Sequence, residues 1–116
     1  MLNYIENWYS GDAARTESAL HPELAKRMVR TDPINGKSTF IQIGAMTLVQ
    51  NTRAGYGRQV PQEQQQKDIT TLDRFNNAAA VKIVASTCID YLEEADYDDE
   101  WKIINVLCEM RRSAVH

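Results

Sequence analysis

Asp90 is the side chain whose type and setting first suggest chemistry. It lies in the middle of an alternating, strand-like segment and has apolar neighbours on both sides, in the run Cys-Ile-Asp-Tyr-Leu that begins at Cys88. Burial disfavours the charged form of a carboxyl group unless hydrogen-bond donors surround it. Asp90 therefore fits a proton donor or acceptor, or a group that holds the polar end of a ligand. The alternative is a core carboxylate that accepts hydrogen bonds from Trp8, Tyr9 or a backbone amide.

His21 is the second candidate for acid or base work. It is one of two histidines, the other being the C-terminal His116. It closes a predicted helix, where the negative end of the helix dipole favours a protonated imidazole. His21 could line the rim of a pocket. It could also serve only to end the helix together with Pro22, because the residue before a proline avoids the helical conformation.

Several large side chains would line an apolar cavity if they converge. They are Trp8, Tyr9, Met28, Tyr91 and Trp101. Aromatic residues at helical or strand spacing belong to a hydrophobic core more often than to a ligand site. Asn105, on the last predicted strand, is either a buried amide with satisfied hydrogen bonds or a ligand contact. With Asp90 and His21, these residues form the candidate ligand-binding set.

The residue spacings predict neither metal nor cofactor chemistry. Cys88 and Cys108 fall within predicted strands and, with two histidines, give none of the usual zinc-site spacings. The two glycines that flank Tyr56 do not open a helix after a strand, so no phosphate-binding loop is indicated. The acidic run Glu93–Glu100 lacks the glycine and the ligand spacing of a calcium loop. We expect no metal ion, no cofactor and two reduced core thiols.

Composition restricts the class of protein and its partners. The 116 residues are 43% hydrophobic and 25% charged, as is typical of one globular domain with its own core. The formal net charge of −3 gives no electrostatic basis for binding nucleic acid or an anionic membrane. No apolar run approaches the roughly 20 residues of a membrane span, and the N-terminus lacks a signal-peptide pattern. We expect a cytoplasmic single-domain protein, residues 1–116, that binds neither nucleic acid nor membrane.

Three helices are predicted. Apolar residues recur at helical spacing over residues 2–10, which indicates a short amphipathic helix. Asp12 offers its carboxylate as the N-cap of a second helix, which ends before His21. The third helix is predicted over residues 45–54 and ends at Gly55, which suits the left-handed conformation that often follows a helix.

Alternation of apolar and polar residues predicts the strands after residue 67, while residues 24–31 are β-compatible with poor alternation and residues 38–43 form the returning strand of a hairpin. The predicted strands cover residues 24–31, 38–43, 68–75, 78–97 and 101–110. Turn chemistry in Asp32–Gly36 joins the first pair, Asn76-Asn77 joins the second, and an acidic turn over residues 98–100 precedes the last strand. The segment 78–97 is either one long bent strand or two strands that meet near Ser86.

The order of elements predicts an α+β domain, in which helices cover one side of an antiparallel sheet. The strands carry apolar residues on both faces, such as Val81 and Ile83 on one and Val84 and Ile89 on the other. Three short helices cannot cover both faces. An uncovered apolar face usually marks an interface, and a twofold dimer is the commonest assembly. We therefore expect a homodimer through the outer face of the sheet.

Four segments of the chain form a recognisable combination. They are YIENWYSGD over Tyr4–Asp12, ALHPEL over Ala19–Leu24, DYL over Asp90–Leu92 and WKIINV over Trp101–Val106. Together they resemble the nuclear-transport-factor-2-like superfamily and, within it, the putative lumazine-binding branch. The resemblance covers nearly the whole chain and keeps the order of the elements.

This resemblance implies a cone in which a strongly curved, mostly antiparallel sheet wraps around three helices and encloses a pocket. The superfamily includes ketosteroid isomerases, dehydratases, polyketide cyclases and many members without catalysis, so the fold alone does not settle function. In the catalytic members an acid or base projects into the pocket from the sheet or from the edge of the second helix; the matching positions here are Asp90 and His21. Relatives begin the first helix further upstream, so we expect one end of the cone to be more open.

Three functions are compatible with these observations. The first is a small-molecule-binding domain whose ligand is apolar or aromatic. The second is an isomerase, dehydratase or cyclase that uses Asp90 or His21 as acid or base. The third is a dimeric interaction module whose pocket is filled by its own side chains. The first is preferred, because catalysis requires two polar groups that face one cavity and the sequence does not place such a pair together.

Overall fold

The computed structural model of the protein describes residues 2–97 and 99–111. Three helices and an open, six-stranded curved sheet confirm the predicted α+β class. The elements are α1 (Leu2–Ser10), α2 (Ala13–Ala19), β1 (Leu20–Thr31), β2 (Ser38–Gly44), α3 (Ala45–Ala54), β3 (Lys67–Phe75), β4 (Ala78–Ala85), β5 (Cys88–Tyr97) and β6 (Glu100–Met110). Two single 3₁₀ turns, Gly57–Gln59 and Gln62–Gln64, lie between α3 and β3. None of the described helices has the length and apolar character needed to cross a membrane.

The sheet has the strand order β2-β1-β6-β5-β4-β3. Every neighbouring pair is antiparallel except β1 and β6, which run parallel. Since β6 lies between β1 and β5, this parallel pair joins the N-terminal elements to the C-terminal strands. The predicted segment 78–97 is two strands, β4 and β5, separated by Ser86 and Thr87.

The helix ends follow the predicted chemistry. The Asp12 side chain accepts a hydrogen bond from the Arg15 backbone N–H at 3.1 Å, as an N-cap does. Gly55 follows α3 with φ +84°, a left-handed conformation that glycine adopts without steric cost. The acidic turn contains Asp99 at φ +64°, while Asp98 lies outside the described residues.

β1 begins earlier than the alternation indicates, at Leu20 rather than Leu24. Its register with β6 shifts between Leu20 and Ala25. Pro22 lies inside this irregular stretch, and proline is tolerated in a strand where the regular ladder of hydrogen bonds is interrupted. Sequence alternation fails there because the bulge changes which residues face the core.

The hydrophobic core lies between the concave face of the sheet and the helices. α1 contributes the buried residues Tyr4, Ile5 and Tyr9, and α3 contributes Leu48 and Val49. The strands contribute Leu20, Leu24, Val81, Ile83, Ala85, Leu92, Ile103 and Val106. Trp8 is half-buried and packs against this cluster from α1.

Gly57 fixes how closely the segment after α3 approaches α1. A Cβ atom at this position would lie 2.1 Å from the carbonyl oxygen of Trp8 and 2.7 Å from its Cδ1. Real Cβ atoms do not approach backbone atoms so closely, so any side chain here displaces α1. The position of Trp8 therefore depends on the absence of a side chain at Gly57.

We expect Gly57→Ala to lower the free energy of unfolding by about 1–3 kcal/mol, because forcing atoms into a packed contact moves the backbone. Urea denaturation followed by Trp fluorescence measures the change. Gly44→Ala is the matched control, since the nearest atom to its Cβ, the Leu24 carbonyl oxygen, is 4.0 Å away. The control should change stability by less than about 1 kcal/mol. Equal effects of the two substitutions would contradict this account of the α1 contact.

Candidate functional site

A cavity of about 150 Å³ lies between the concave face of the sheet and helices α1 and α3. Its apolar walls are formed by Ile5, Trp8, Met28, Ile43, Leu48 and Met110. Thr87, in the β4–β5 turn, is exposed and also lines the cavity, so the cavity reaches the surface there. Polar side chains also line it, among them Tyr4, Lys26, Asn51 and Asp90.

The sheet places Asp90 in this wall through the pairing of its strands. Asp90 on β5 lies opposite Ile83 on β4 and opposite Cys108 on β6. Cys108 in turn lies opposite Met28 on β1. Directly paired residues project to the same face of a sheet, so these side chains all point into the concave side. Asp90 is 1% exposed, although it carries an ionisable group.

Lys26 lies beside Asp90 and connects it to Tyr4. The Lys26 Nζ atom lies 3.9 Å from Asp90 Oδ1 and donates a hydrogen bond to the Tyr4 hydroxyl at 3.1 Å. The side chains of Lys26 and Asp90 are 12% and 2% exposed. A buried carboxylate needs such a counter-charge, because removal of a charge from water is costly. Tyr4, Lys26 and Asp90, which we term the polar cluster, thus join α1, β1 and β5.

Burial and neighbouring charges shift the pKa values of the polar cluster. Burial raises the pKa of Tyr4 well above its usual range, which outweighs the opposing effect of Lys26, so its hydroxyl stays protonated. Burial alone would lower the pKa of Lys26, but the Tyr4 oxygen and the Asp90 carboxylate together raise it above its usual range. At neutral pH the cavity therefore contains an ammonium donor and a neutral phenol.

Both cysteines of the chain also line the cavity, and both are free thiols. The Cys88 Sγ donates a weak hydrogen bond to Asp90 Oδ1 at 3.6 Å. Cys108 is fully buried, and its hydrogen bond with Cys88, followed by burial, raises the pKa of its thiol. The polar wall of the cavity therefore contains two thiols beside the ion pair.

Four of the eight predicted ligand-binding residues line this cavity: Trp8, Tyr9, Met28 and Asp90. Tyr91 lies on the opposite, convex face and is 42% exposed, because successive strand residues point to opposite sides of a sheet. Asn105 is exposed on the same convex face, where its Nδ2 donates to Glu93 Oε1 at 3.2 Å. Neither Tyr91 nor Asn105 is among the residues that line the cavity.

His21 and Trp101 also lie away from the cavity lining. His21 is half-buried in the first residues of β1, and its Nδ1 accepts the backbone N–H of Glu23 at 3.0 Å. This contact fits the role of a residue that shapes the start of β1. Trp101 on β6 is half-buried, and the Arg74 guanidinium lies 4.9 Å from the centre of its ring. The structure therefore does not bring His21 and Asp90 together in one site.

Sequence reasoning missed Lys26 and Tyr4. Lys26 lies between Leu24 and Met28 at two-residue spacing, and this spacing places all three on one face of a strand. A lysine on a face otherwise occupied by apolar residues was the available signal for a buried cation. Tyr4 lies one helical turn before Trp8, but the sequence did not show that its hydroxyl meets a strand residue.

The arrangement can hold the polar part of a ligand inside an apolar cavity. Lys26 offers a charged donor, Tyr4 a hydroxyl and Asp90 a carboxylate, all within a few ångströms of one another. Tyr4 and Asp90 could also exchange a proton with a bound molecule. The geometry thus supports ligand binding directly and general acid–base chemistry as an alternative.

The sequence matches, over residues 1–107, the protein family described as "Putative lumazine-binding". Among solved structures, an NTF2-like protein of unknown function from Silicibacter pomeroyi is similar with a TM-score of 0.64 at 11% identity, covering 94% of this chain and 87% of that one. A protein of unknown function with a cystatin-like fold from Nostoc punctiforme gives a TM-score of 0.63 at 11% identity, covering 96% and 85%.

A third similar structure is a putative Ca/calmodulin-dependent kinase II association domain from Exiguobacterium sibiricum. Its TM-score is 0.58 at 11% identity, and the match covers 93% of this chain and 84% of that one. At such low identities these likenesses concern the fold alone. No match was found among curated proteins.

We expect the buried Lys26–Asp90 ion pair to affect the free energy of unfolding. Asp90→Asn removes the counter-charge of Lys26, and Lys26→Met leaves the Asp90 carboxylate buried alone. Each single substitution should lower the free energy of unfolding by about 3–5 kcal/mol, whereas the double variant should lose clearly less than the sum. Urea denaturation of the four proteins gives the coupling.

Glu100→Gln is the control for this cycle, because Glu100 forms an exposed ion pair with Lys102 at 3.0 Å. An exposed pair contributes little, so this change should stay within about 1 kcal/mol. Strictly additive losses in the Asp90 and Lys26 variants would show that the two side chains do not interact in solution.

Proposed function

Because the chain belongs to the putative lumazine-binding family, within the nuclear-transport-factor-2-like superfamily, we propose that it binds a small organic molecule in the cavity beneath α1 and α3. The observation that carries this proposal is the polar cluster, a buried ion pair with a tyrosine hydroxyl, in a cavity whose other lining residues are mostly apolar. Ligand pockets typically combine apolar walls with a few converging polar groups.

Stability alone does not explain the polar cluster. Replacement of a buried ion pair by apolar residues of similar size is often neutral or stabilising, so a fold gains little from keeping one. A bound ligand with a polar atom would gain from Lys26, since a hydrogen bond to a charged donor is stronger than one between neutral groups. The cluster therefore fits recognition of a ligand better than construction of a core.

The size of the cavity limits the ligand. A cavity of about 150 Å³ is comparable to one that holds a single benzene ring. The walls favour an aromatic or apolar ring, and Lys26 and Asp90 favour one or two polar atoms on it. We therefore propose a one-ring ketone or phenol as the ligand class. A two-ring pteridine such as lumazine would need a larger cavity and more hydrogen-bonding partners.

Binding can be tested by NMR titration of the ¹⁵N-labelled protein with phenol, cyclohexanone and lumazine. We expect phenol or cyclohexanone to shift the amide signals of cavity residues such as Trp8, Cys108 and Met110. Lys26→Met should weaken that binding by about 10-fold or more, the effect of losing a hydrogen bond to a charged donor. Lys82→Met is the control, since Lys82 lies near the exposed Tyr91 ring.

Unchanged cavity signals with all three compounds would contradict the proposed ligand class. Shifts confined to the convex face, or shifts equally strong in Lys26→Met, would contradict the proposed site. Binding of lumazine in preference to the one-ring compounds would show that the cavity expands and would overturn the size argument.

An acid–base enzyme is the second candidate, because Tyr4 and Asp90 both face one cavity beside Lys26. A ketone held by Lys26 could exchange its α-protons through Asp90. Deuterium exchange of bound cyclohexanone, followed by ¹H NMR and lost in Asp90→Asn, would favour this function. Binding without exchange would favour the first candidate. His21 is not part of this alternative, because it does not line the cavity.

We further propose that the protein forms a homodimer through the convex face of the sheet. Val81 and Ile83, which were predicted to lie on one of the two apolar faces of the sheet, are buried on the concave face beneath the helices. Four exposed apolar side chains of the convex face, Phe40, Leu72, Tyr91 and Leu107, line one shallow depression. Exposed apolar patches of this kind are typical of interfaces. A similar structure is named as an association domain, which supports assembly as a use of this fold.

Light scattering after size-exclusion chromatography should give twice the 13.2 kDa mass of one chain at micromolar concentration. Leu107→Lys places a charge within the depression and should yield the monomer. Ile34→Lys, in the exposed β1–β2 turn where the side chain is 94% exposed, should leave the mass unchanged. A mass of 13.2 kDa for the unmodified protein would count against the dimer.

A further inference from the structure

Three metal-ligating side chains converge at the polar wall of the cavity. The Cys88 and Cys108 sulfur atoms and a carboxylate oxygen of Asp90 all lie within 4.8 Å of one another. The Cys88 sulfur is 3.6 Å from Asp90 Oδ1. Zinc bonds of about 2.0–2.3 Å at tetrahedral angles separate ligand atoms by roughly 3.5–3.8 Å. The three atoms therefore need only small rotations of their side chains to meet one ion.

We propose that Cys88, Asp90 and Cys108 bind one zinc ion at the wall of the cavity. This site goes beyond the proposed ligand and does not depend on it. The sequence did not predict it, because its ligands do not follow the usual short cysteine and histidine spacings. Cys88 and Asp90 are two residues apart on one face of β5, and Cys108 comes from the neighbouring strand β6.

The types of ligand select the ion. Two thiolates are soft donors that favour zinc, whereas magnesium and calcium prefer sites built from oxygen alone. One carboxylate oxygen is also a normal zinc ligand. All three side chains line the cavity, so the fourth coordination position faces the cavity and can take a water molecule or a polar atom of a small molecule. Three protein ligands with one open position are typical of zinc sites that act on bound molecules.

The charge of the site remains constant when the ion binds. Lys26 Nζ lies 3.9 Å from Asp90 Oδ1 and balances that carboxylate, and a thiol gives up its proton when it binds zinc. Zinc brings two positive charges and displaces one proton from each thiol, so the total charge does not change. With the ion bound, three anionic ligands face two charges of zinc, and Lys26 balances the remaining one. A buried site tolerates this exchange because it leaves no net charge without a partner.

A disulfide between the two cysteines fits the strand pairing less well. Cys88 lies opposite Met110, and Cys108 lies opposite Asp90, so the cysteines occupy diagonal positions. Diagonal neighbours in a sheet have Cα atoms about 7–8 Å apart and Cβ atoms somewhat closer, whereas a disulfide requires Cβ atoms about 3.5–4.5 Å apart. A metal ion spans the wider separation of the Cβ atoms, because each sulfur bonds to the ion and no bond between the two sulfurs is needed.

The test uses the full chain, with its thiols reduced and bound metal removed by EDTA. It measures the binding of metal ions in the absence of any organic ligand. Zinc affinity is obtained by competition with a chromophoric chelator, and Co²⁺ serves as a spectroscopic probe of thiolate ligands and of tetrahedral geometry. We expect one equivalent of metal, a cobalt–thiolate charge-transfer band, and a higher melting temperature with zinc. Cys88→Ser and Cys108→Ala should each lower the affinity by more than about 100-fold, beyond the loss typical of outer-shell substitutions.

Glu93→Gln is the matched control, since Glu93 is an exposed acid on the same strand and the opposite face. The zinc affinity of the Glu93→Gln variant should equal that of the unmodified chain. Circular dichroism establishes that each variant folds; if Cys108→Ala does not, Cys88→Ser, at a partly exposed position, decides the outcome. Absence of the charge-transfer band, or equal zinc affinity in Cys88→Ser, would overturn the proposal. If the protein binds zinc but none of the ring compounds, the zinc site stands and the proposed ligand class falls. If it binds a ring compound but no zinc, the zinc site falls and the ligand proposal stands.

Discussion

One row of paired residues across the concave face determines most of this structure. It runs through all six strands and consists of Ile41, Met28, Cys108, Asp90, Ile83 and Ile69. A shift of any strand by one residue would turn its member of the row to the convex face. For β5 such a shift would separate Asp90 from Lys26, so the ion pair and the apolar packing favour the same register. The row also forms part of the cavity wall, so fold and site share one set of contacts.

Local chemistry made much of the fold predictable. Two-residue alternation located the strands, and Asp12, Gly55 and the Asn76-Asn77 turn marked the ends of elements where the structure has them. These features depend on residues close together in the chain, which the sequence displays directly. The start of β1 is the exception, because Pro22 lies in an irregular stretch where alternation no longer reports the facing of side chains.

The site was less predictable because it depends on contacts between distant parts of the chain. Asp90 was identified from its apolar neighbours, but its partner Lys26 reaches it only because β1 pairs with β6 in parallel. Nothing local specifies that pairing or its register. Tyr91 was predicted to line a cavity together with other large side chains, although neighbouring residues in a strand, such as Asp90 and Tyr91, point to opposite faces. Strand parity, applied strictly, would have excluded Tyr91 and drawn attention to Lys26.

The presence of a cavity follows from the unequal lengths of helices and strands. α1 has nine residues and rises about 1.5 Å per residue, whereas β1 has twelve residues and rises about 3.3 Å per residue. A single helix of this length therefore covers roughly a third of such a strand. Gly57 brings the chain after α3 against α1 and sets the position of Trp8, but the helices still leave space over Met28 and Asp90.

The uncovered space leaves Asp90 and Lys26 at the wall of a cavity instead of inside a filled core. If the helices filled the concave face, Asp90 and Lys26 would be enclosed by side chains alone, and an apolar pair would serve the core equally well. Beside a cavity, the same charges are buried from bulk water yet accessible to a small molecule or an ion. The low polarity of the walls strengthens their interaction with such a guest. The short helices and the buried charges are therefore complementary features: the former leave the space, and the latter place charged and polar groups at its wall.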